Sequence, residues 1–172
     1  RLDYDLRSGI FWLRMPTPVH DYVATAIADE IKKLLDKAGE RKTTDGAYAA
    51  KIRKVGSSRI FLGIEEEVGT LRRHPDGQFQ HLKAKFPGLV IEISYSQDGK
   101  DLEKLAWDYI VESGGNIKAV IGIDINLDGK PSTVSLWPPE YTRDDGDERD
   151  MLGIRADIEY QVCGVDYYCE GA

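Results

Sequence analysis

Residues 86–125 read FPGLVIEISYSQDGKDLEKLAWDYIVESGGNIKAVIGIDI, and this stretch decides the fold. It contains two β-branched runs, at residues 89–95 and 117–125. Between them, over about 101–113, apolar residues recur at the spacing of one helix face. Runs that are apolar almost throughout are typical of strands buried inside a sheet. The stretch therefore predicts a strand, a helix and a second strand.

The chain before this stretch predicts one long helix and two strands. Over residues 19–38 the apolar positions recur at intervals of three and four. Residues 58–64, SRIFLGI, are predicted as a strand, and a second short strand is predicted over 76–79. These elements supply further strands and a first helix for the sheet predicted above.

The chain after residue 125 predicts a hairpin, because Asp128-Gly129 is a turn dipeptide and residues 132–137 follow it as a return strand. Residues 154–162 fit either a strand or a short helix. The whole order predicts an α/β (α+β) fold with a mixed central β-sheet flanked by helices. We expect one domain over residues 1–172, with a core at about 10–137, an acidic loop at 138–150 and a C-terminal extension at 151–172.

Composition places the 172 residues among ordinary globular chains, with 41% apolar and 31% charged residues. No apolar run approaches the roughly 20 residues that a membrane span requires. Cys163 and Cys169 are too few for a disulfide scaffold or a four-cysteine zinc site. We therefore expect reduced cysteines and an intracellular protein, either cytoplasmic or nuclear.

The charge of −7 is unevenly distributed. Residues 1–100 hold 17 Lys and Arg against 14 Asp and Glu, whereas residues 101–172 hold 6 against 16. An acidic chain argues against nonspecific coating of nucleic acid, because phosphate binding depends on Lys and Arg. A local basic groove remains compatible with the first part, and scattered solvated side chains are the alternative. The candidate groove residues are Lys51, Arg53, Lys54, Arg59, Arg72 and Arg73, with Lys83 and Lys85 near them in sequence.

Several catalytic signatures are absent from the sequence: G-x-x-x-x-G-K-[ST], H-E-x-x-H and G-x-S-x-G. Two carboxylates remain, Asp76 after Pro75 at a predicted strand start and Glu92 inside an apolar strand. A carboxylate in a buried strand is costly unless it has a partner. Two carboxylates on adjacent strands can hold Mg²⁺ or Mn²⁺ and so support phosphodiester hydrolysis. An ordinary Pro-Asp turn is the alternative explanation for Asp76.

This arrangement resembles the PD-(D/E)XK nuclease superfamily. Residues 86–125 are similar to a group of uncharacterised fungal proteins and, more distantly, to bacterial putative restriction endonuclease families. RMPTPVH at 14–20, GSSRIFLG at 56–63 and HPD at 74–76 fit the same pattern in the same order, so the resemblance covers about residues 10–137. It implies a restriction-endonuclease-like core of a helix, three or four strands and a second helix, with metal between the second and third strands.

The resemblance implies that Asp76 and Glu92 bind the metal. The superfamily's lysine, two residues after the second acid, is replaced here by Ser94. Members of the superfamily relocate this lysine to the following helix, which implies a catalytic role for Lys100 or Lys104, although Lys104 can instead pair with an aspartate of its own helix. The resemblance further implies Gln97 as a contact to a metal water or phosphate and Glu30 as a third metal ligand, with loop capping and a solvated helix face as the respective alternatives.

Two functions follow from the resemblance. The first is a Mg²⁺- or Mn²⁺-dependent endonuclease that cuts DNA, with RNA as the alternative substrate, and holds the nucleic-acid backbone with the basic residues above. Many nucleases of this fold form homodimers, so a homodimer is a further expectation. The second is a catalytically inactive scaffold that binds a protein partner as an interaction or effector module. Ser94 and the acidic balance favour the second, because an anionic surface suits a basic protein partner better than DNA.

Overall fold

The computed structural model describes residues 2–6, 8–13, 17–63, 71–95, 101–126, 131–143 and 150–162. Three helices and twelve strands lie in these residues. In chain order they are β1 (Leu2–Asp5), β2 (Ile10–Leu13), α1 (Pro18–Gly39), α2 (Thr44–Ala49), β3 (Ile52–Lys54), β4 (Ile60–Leu62), β5 (Leu71–Arg73), β6 (Gly77–His81), β7 (Leu89–Tyr95), α3 (Leu102–Val111), β8 (Ala119–Ile125), β9 (Ser132–Trp137), β10 (Pro139–Thr142), β11 (Met151–Ile154) and β12 (Ile158–Val162).

A six-stranded mixed sheet in the order β12-β9-β8-β7-β6-β3 forms the centre of the molecule. β7 and β8 are parallel, in register from Leu89 opposite Ala119 to Tyr95 opposite Ile125. All other neighbours in this sheet are antiparallel. The prediction of a mixed sheet flanked by helices is therefore confirmed.

The alternation of side chains along β7 separates the two faces of this sheet. Ile91 and Ile93 pack with Ala24 and Ala28 of α1. Val90, the residue before Ile91, packs on the other face in the core cluster that contains residues of α3. The near-continuous apolar run of β7 thus follows from burial on both faces.

The start of α1 is fixed by local sequence. The side chain of Thr17 accepts a hydrogen bond from the N–H of His20, and Pro18 occupies the first turn. Asp21 adds negative charge to the same turn, where the helix dipole favours it. This cap places the first turn of α1 at a defined position over the sheet.

A second sheet of four antiparallel strands, in the order β2-β1-β5-β4, lies on the α3 side. Its inner residues Ile60, Leu62 and Leu71 join the core cluster that contains Tyr109 and Ile110 of α3. A third sheet of two strands pairs β10 with β11, and Leu152 and Ile154 pack against the same cluster.

The long or strongly patterned elements were predicted well, and the short strands predicted at 58–64 and 76–79 are observed as β4 and β6. The predicted helices and the strands at 89–95, 117–125 and 132–137 are observed within one or two residues. Residues 154–162 were compatible with a strand or a short helix, and residues 158–162 form a strand. α2, β1, β2, β3 and β5 were not predicted, because three to six residues give little periodicity.

The predicted loop at 138–150 contains the strand β10, which is a correction to the sequence analysis. Its residues pair with β11, a long-range contact that local polarity does not signal. Residues 144–149 of the acidic run and both cysteines lie outside the described residues. Among the described residues, no helix has the length and apolar character needed to cross a membrane.

Candidate functional site

Asp76 lies where β6 begins, beside β7. Its N–H donates to the carbonyl oxygen of Ile91 at 3.0 Å, although Ile91 is already the register partner of Gly77. Asp76 directly precedes β6, so this bond adds one contact to β7 beyond the Gly77–Ile91 pair, where the printed register ends. The Asp76 Oδ2 also accepts a hydrogen bond from the N–H of Ile93 at 2.7 Å. Backbone and side chain of Asp76 thus bind the two residues that flank Glu92.

His20 contacts the carboxylates of Asp76 and Asp21. Its Nε2 lies 3.1 Å from Oδ2 of Asp76, and its Nδ1 lies 3.4 Å from Oδ1 of Asp21. The side chain of Asp76 is only 1% exposed, whereas that of Asp21 is 53% exposed. The imidazole therefore connects a buried carboxylate of the sheet to a solvated carboxylate of α1.

An open cleft of about 340 Å³ lies beside this group, between α1, the loop after β3 and the start of β6. Among its charged residues, Lys54 has its Nζ 2.7 Å from Oδ1 of Asp29. Both signs of charge therefore face one cavity, as a site for a cation and a phosphate requires. The lining residues are Asp21, Ala24, Thr25, Ala28, Lys54, Gly56, Ser57, Asp76 and Gly77.

Glu92 is 1% exposed and has a different environment. Its Oε1 accepts a hydrogen bond from the hydroxyl of Tyr109 at 2.6 Å. Tyr109 belongs to α3, whereas the His20 that contacts Asp76 belongs to α1. The two carboxylates predicted to share a metal therefore lie on adjacent strands but contact helices on opposite faces of the sheet.

A buried ion pair joins the four-stranded sheet to α3. Nη2 of Arg73 donates to Oδ2 of Asp108 at 2.5 Å, and both side chains are buried. Burial raises the pKa of Asp108, and the guanidinium of Arg73 offsets part of that rise. The prediction that Arg73 contacts nucleic acid is corrected by this placement, because a buried, paired guanidinium is not available to a phosphate backbone.

The other predicted basic residues fall into two separate exposed groups. Lys51, Arg53 and Lys54 lie at or just before the edge strand β3, where Arg53 also donates to the carbonyl oxygen of Ala50 at 2.6 Å. Arg59 and Arg72 lie at the four-stranded sheet. The guanidinium carbon of each is 5.8 Å from the centre of the Phe61 ring. The sequence suggested one groove, but the two groups belong to different sheets.

Glu30 does not lie with the predicted metal ligands. Its side chain is largely exposed and pairs with Lys33 at 2.6 Å, one helical turn further on. The inner side of α1 is formed instead by residues such as Ala24 and Ala28. The structure therefore does not place Glu30 beside Asp76, and a third ligand at Glu30 stays a prediction. His20 and Asp21 are the polar residues that α1 brings toward Asp76.

Of the two lysines predicted to replace the one missing at Ser94, the structure describes only Lys104. Lys104 is exposed in the first turn of α3, and its charge lowers the pKa of Asp108 on the next turn. That interaction matches the alternative in which Lys104 pairs within its own helix. Lys100 lies outside the described residues, as does Gln97.

His20 and Asp21 were missed by the sequence analysis. His20 is 56 positions from Asp76, and three dispersed histidines gave no reason to join them. The signal available was the Thr17-Pro18 helix start, which fixes the first turn of α1 but not the strand beneath it.

The donor set of the cleft is compatible with a hard cation. In the part of the chain that the structure describes, no group of three or more His, Cys, Asp or Glu is placed to hold a metal. Mg²⁺, however, is commonly bound through one or two carboxylates, with waters and substrate phosphates completing the octahedron. Asp76 and Asp21 line the same cleft and supply two such carboxylates.

Comparison with known proteins gives no relative for this chain. A scan of protein-family models, a search of curated proteins and a search of solved structures each returned no match.

Proposed function

We propose that this chain hydrolyses phosphodiester bonds in DNA, with Mg²⁺ or Mn²⁺, at the cleft lined by Asp76. The observation that carries the proposal is the placement of Asp76, whose 1% exposed carboxylate accepts a hydrogen bond from the N–H of Ile93, next to Glu92, and lines an open cleft. A buried carboxylate at the wall of an open cleft is placed to meet a ligand.

The order of elements supports the same proposal. α1, the antiparallel strands β3, β6 and β7, then α3 and the parallel strand β8 follow one another around this site, with the hairpin β4–β5 inserted between the first two strands. A helix, three strands and a second helix is the core that the resemblance to PD-(D/E)XK nucleases implies. An order of elements does not by itself determine function, which depends on the side chains of the site.

Four charged or polar side chains at or beside the cleft have a role in this proposal. Asp76 and Asp21 would hold the cation, which would polarise the phosphodiester and lower the pKa of a water molecule. His20 orients the Asp76 carboxylate through Nε2. Lys54 supplies positive charge for the substrate phosphate from the opposite wall of the cleft. Glu92 is the alternative second ligand, and to serve it must turn from Tyr109 toward the cleft.

The test is calorimetric titration of Mn²⁺ together with cleavage of labelled DNA. We expect Asp76→Asn to lose Mn²⁺ binding and to reduce cleavage by about a hundredfold or more, because even residues that only support metal ligands cost 10–100-fold. Asp21→Asn and Glu92→Gln distinguish the two ligand pairs, since only the true second ligand weakens the metal. Asp36→Asn is the matched control, an exposed aspartate of α1 that pairs with Lys32.

Cleavage that survives Asp76→Asn, in protein free of contaminating nuclease, contradicts the proposal. So does wild-type protein that neither binds Mn²⁺ nor cuts DNA.

The same preparation, examined by analytical ultracentrifugation, tests the homodimer. An intracellular location, cytoplasmic or nuclear, belongs to the same proposal and rests on the cysteine count.

The second candidate is an inactive scaffold that binds a protein partner. It is favoured by the closed environment of Glu92, which bonds to Tyr109, and by Ser94, which is buried where the superfamily has lysine. This candidate predicts no metal binding and no cleavage by the wild type. A basic protein captured by the wild type and released by moderate salt would support it.

A further inference from the structure

The outer face of the four-stranded sheet carries a single row of side chains across all four strands. Tyr4 of β1 is the register partner of both Phe11 of β2 and Arg72 of β5. Arg72 is in turn the partner of Phe61 of β4. Residues directly opposite each other in antiparallel strands point to the same face of a sheet. The row therefore reads Phe11, Tyr4, Arg72 and Phe61 from one edge to the other.

This row is open to solvent. Phe11 is 61% exposed and Phe61 is 50% exposed, and Leu13 on the same face is 72% exposed. The rings of Tyr4 and Phe11 are stacked with centroids 4.1 Å apart. The opposite face of the sheet already supplies the residues that pack against α3. Exposed rings held on a rigid sheet, outside the core, are a feature of binding surfaces rather than of packing.

The row is also positively charged in a chain of net charge −7. The guanidinium groups of Arg59 and Arg72 each lie 5.8 Å from the centre of the Phe61 ring. Among the outward positions that the structure describes, no carboxylate occurs. Asp3 occupies the alternate, inner face of β1, where it is buried and accepts a hydrogen bond from the N–H of His74 at 2.8 Å.

We propose that this outer face binds single-stranded nucleic acid, with bases stacked on Phe11 and Phe61 and phosphates held by Arg59 and Arg72. Every base has a face that an aromatic ring can stack on, and grooves for single strands combine such rings with cations. A duplex keeps its base faces stacked inside, so flat exposed rings suit a single strand better. An acidic peptide would use the arginines alone and gives no reason for a row of rings.

The inference goes beyond the proposed hydrolase, because stacking and phosphate contact need no divalent cation and no residue of the Asp76 cleft. Binding is therefore measured in EDTA by fluorescence anisotropy, with a labelled oligo-dT of about 12 nucleotides, within the site sizes of known single-strand grooves. The same sequence annealed to its complement tests preference for a single strand. A poly-glutamate competitor tests the acidic-peptide alternative.

Replacing a phenylalanine by leucine removes the aromatic ring but keeps an apolar side chain. These variants therefore test base stacking separately from apolar contact. We expect Phe61→Leu and Phe11→Leu each to weaken oligo-dT binding by about five- to a hundredfold, the range that loss of one base–aromatic stack produces. Trp107→Leu, at an exposed aromatic residue of α3 outside this face, should stay within twofold. Arg72→Gln should weaken binding and reduce the salt dependence by about one phosphate contact. Circular dichroism confirms that each variant is folded.

The proposal is overturned by wild-type protein that does not bind oligo-dT at low salt, by duplex bound as tightly as single strand, or by Phe61→Leu and Phe11→Leu that bind like wild type. Poly-glutamate that displaces the oligonucleotide while both leucine variants keep full affinity also overturns it, in favour of an acidic protein partner. Asp36→Asn, at an exposed position outside both sites, should bind oligo-dT like wild type. Because binding is measured in EDTA, failure of the outer face and failure of the hydrolase give different results.

Discussion

The two sides of the six-stranded sheet use their carboxylates differently. On the α1 side, Asp76 contacts His20 and lines an open cleft. On the α3 side, Glu92 bonds to the Tyr109 hydroxyl and Asp108 bonds to the Arg73 guanidinium, all within the core. Glu92 and Asp76 lie on adjacent strands, yet the helix that each one meets sets its environment.

This difference indicates which carboxylates stabilise the fold and which are placed to meet a ligand. A buried polar group that is satisfied inside the core contributes mainly to specifying and stabilising the fold. A buried carboxylate at the wall of a cleft can also meet a ligand. We therefore expect substitutions on the α3 side to lower the free energy of unfolding, and substitutions on the α1 side to affect binding and cleavage more than stability.

The largest stability effect is expected for Arg73→Met. Removing the guanidinium leaves Asp108 buried without its cation, and breaking a buried ion pair from one side costs about 3–5 kcal/mol. Urea denaturation measures the loss. The neighbouring Arg72→Met, at an exposed position of the same strand, should change the free energy of unfolding by less than about 0.5 kcal/mol.

The double variant Arg73→Met with Asp108→Leu sharpens this result. Replacing both partners by apolar residues should recover much of the stability, because the desolvation cost of both charges disappears. An Arg73→Met protein as stable as Arg72→Met would show that the α3 side does not depend on its ion pair.

A smaller loss is expected for Tyr109→Phe, which removes only the hydroxyl that donates to Glu92. Taking one hydrogen bond from a buried charged acceptor costs about 1–3 kcal/mol. The change is measured by the same denaturation experiment. Tyr22→Phe, on an exposed tyrosine of α1, serves as the control and should be nearly neutral. If the two variants lose equal stability, the Glu92 pair is not a structural contact.

The smallest stability loss is expected for His20→Ala, at about 1 kcal/mol, because Asp76 keeps its bond from the Ile93 N–H and one hydrogen bond of this kind contributes little net stability. Cleavage should nevertheless fall about tenfold or more, since the ring orients Asp76. His20→Gln keeps an N–H donor and should restore part of the cleavage. Stability lost without any change in cleavage would reverse the comparison between the two sides.

The sequence predicted the positions of the two principal carboxylates but not their partners. Asp76 at a strand start and Glu92 inside an apolar strand were evident, because local pattern determines strand type and burial. The backbone contact of Asp76 was not evident, because its N–H donates to the carbonyl oxygen of Ile91, 15 residues further along the chain. Likewise, adjacent Arg72 and Arg73 look alike in sequence, but strand alternation exposes one and buries the other.

The sequence by itself determined the mixed α/β class, the two main helices and the central strands, because periodicity and caps act within a few residues of one another. Only the tertiary structure decided which helix meets which carboxylate, that His20 rather than Glu30 reaches Asp76, and that Phe11, Tyr4, Arg72 and Phe61 form one row. These pairings join residues up to tens of positions apart. They are set by strand register and by layer packing, and a shift of register by one residue turns every side chain of a strand to the other face.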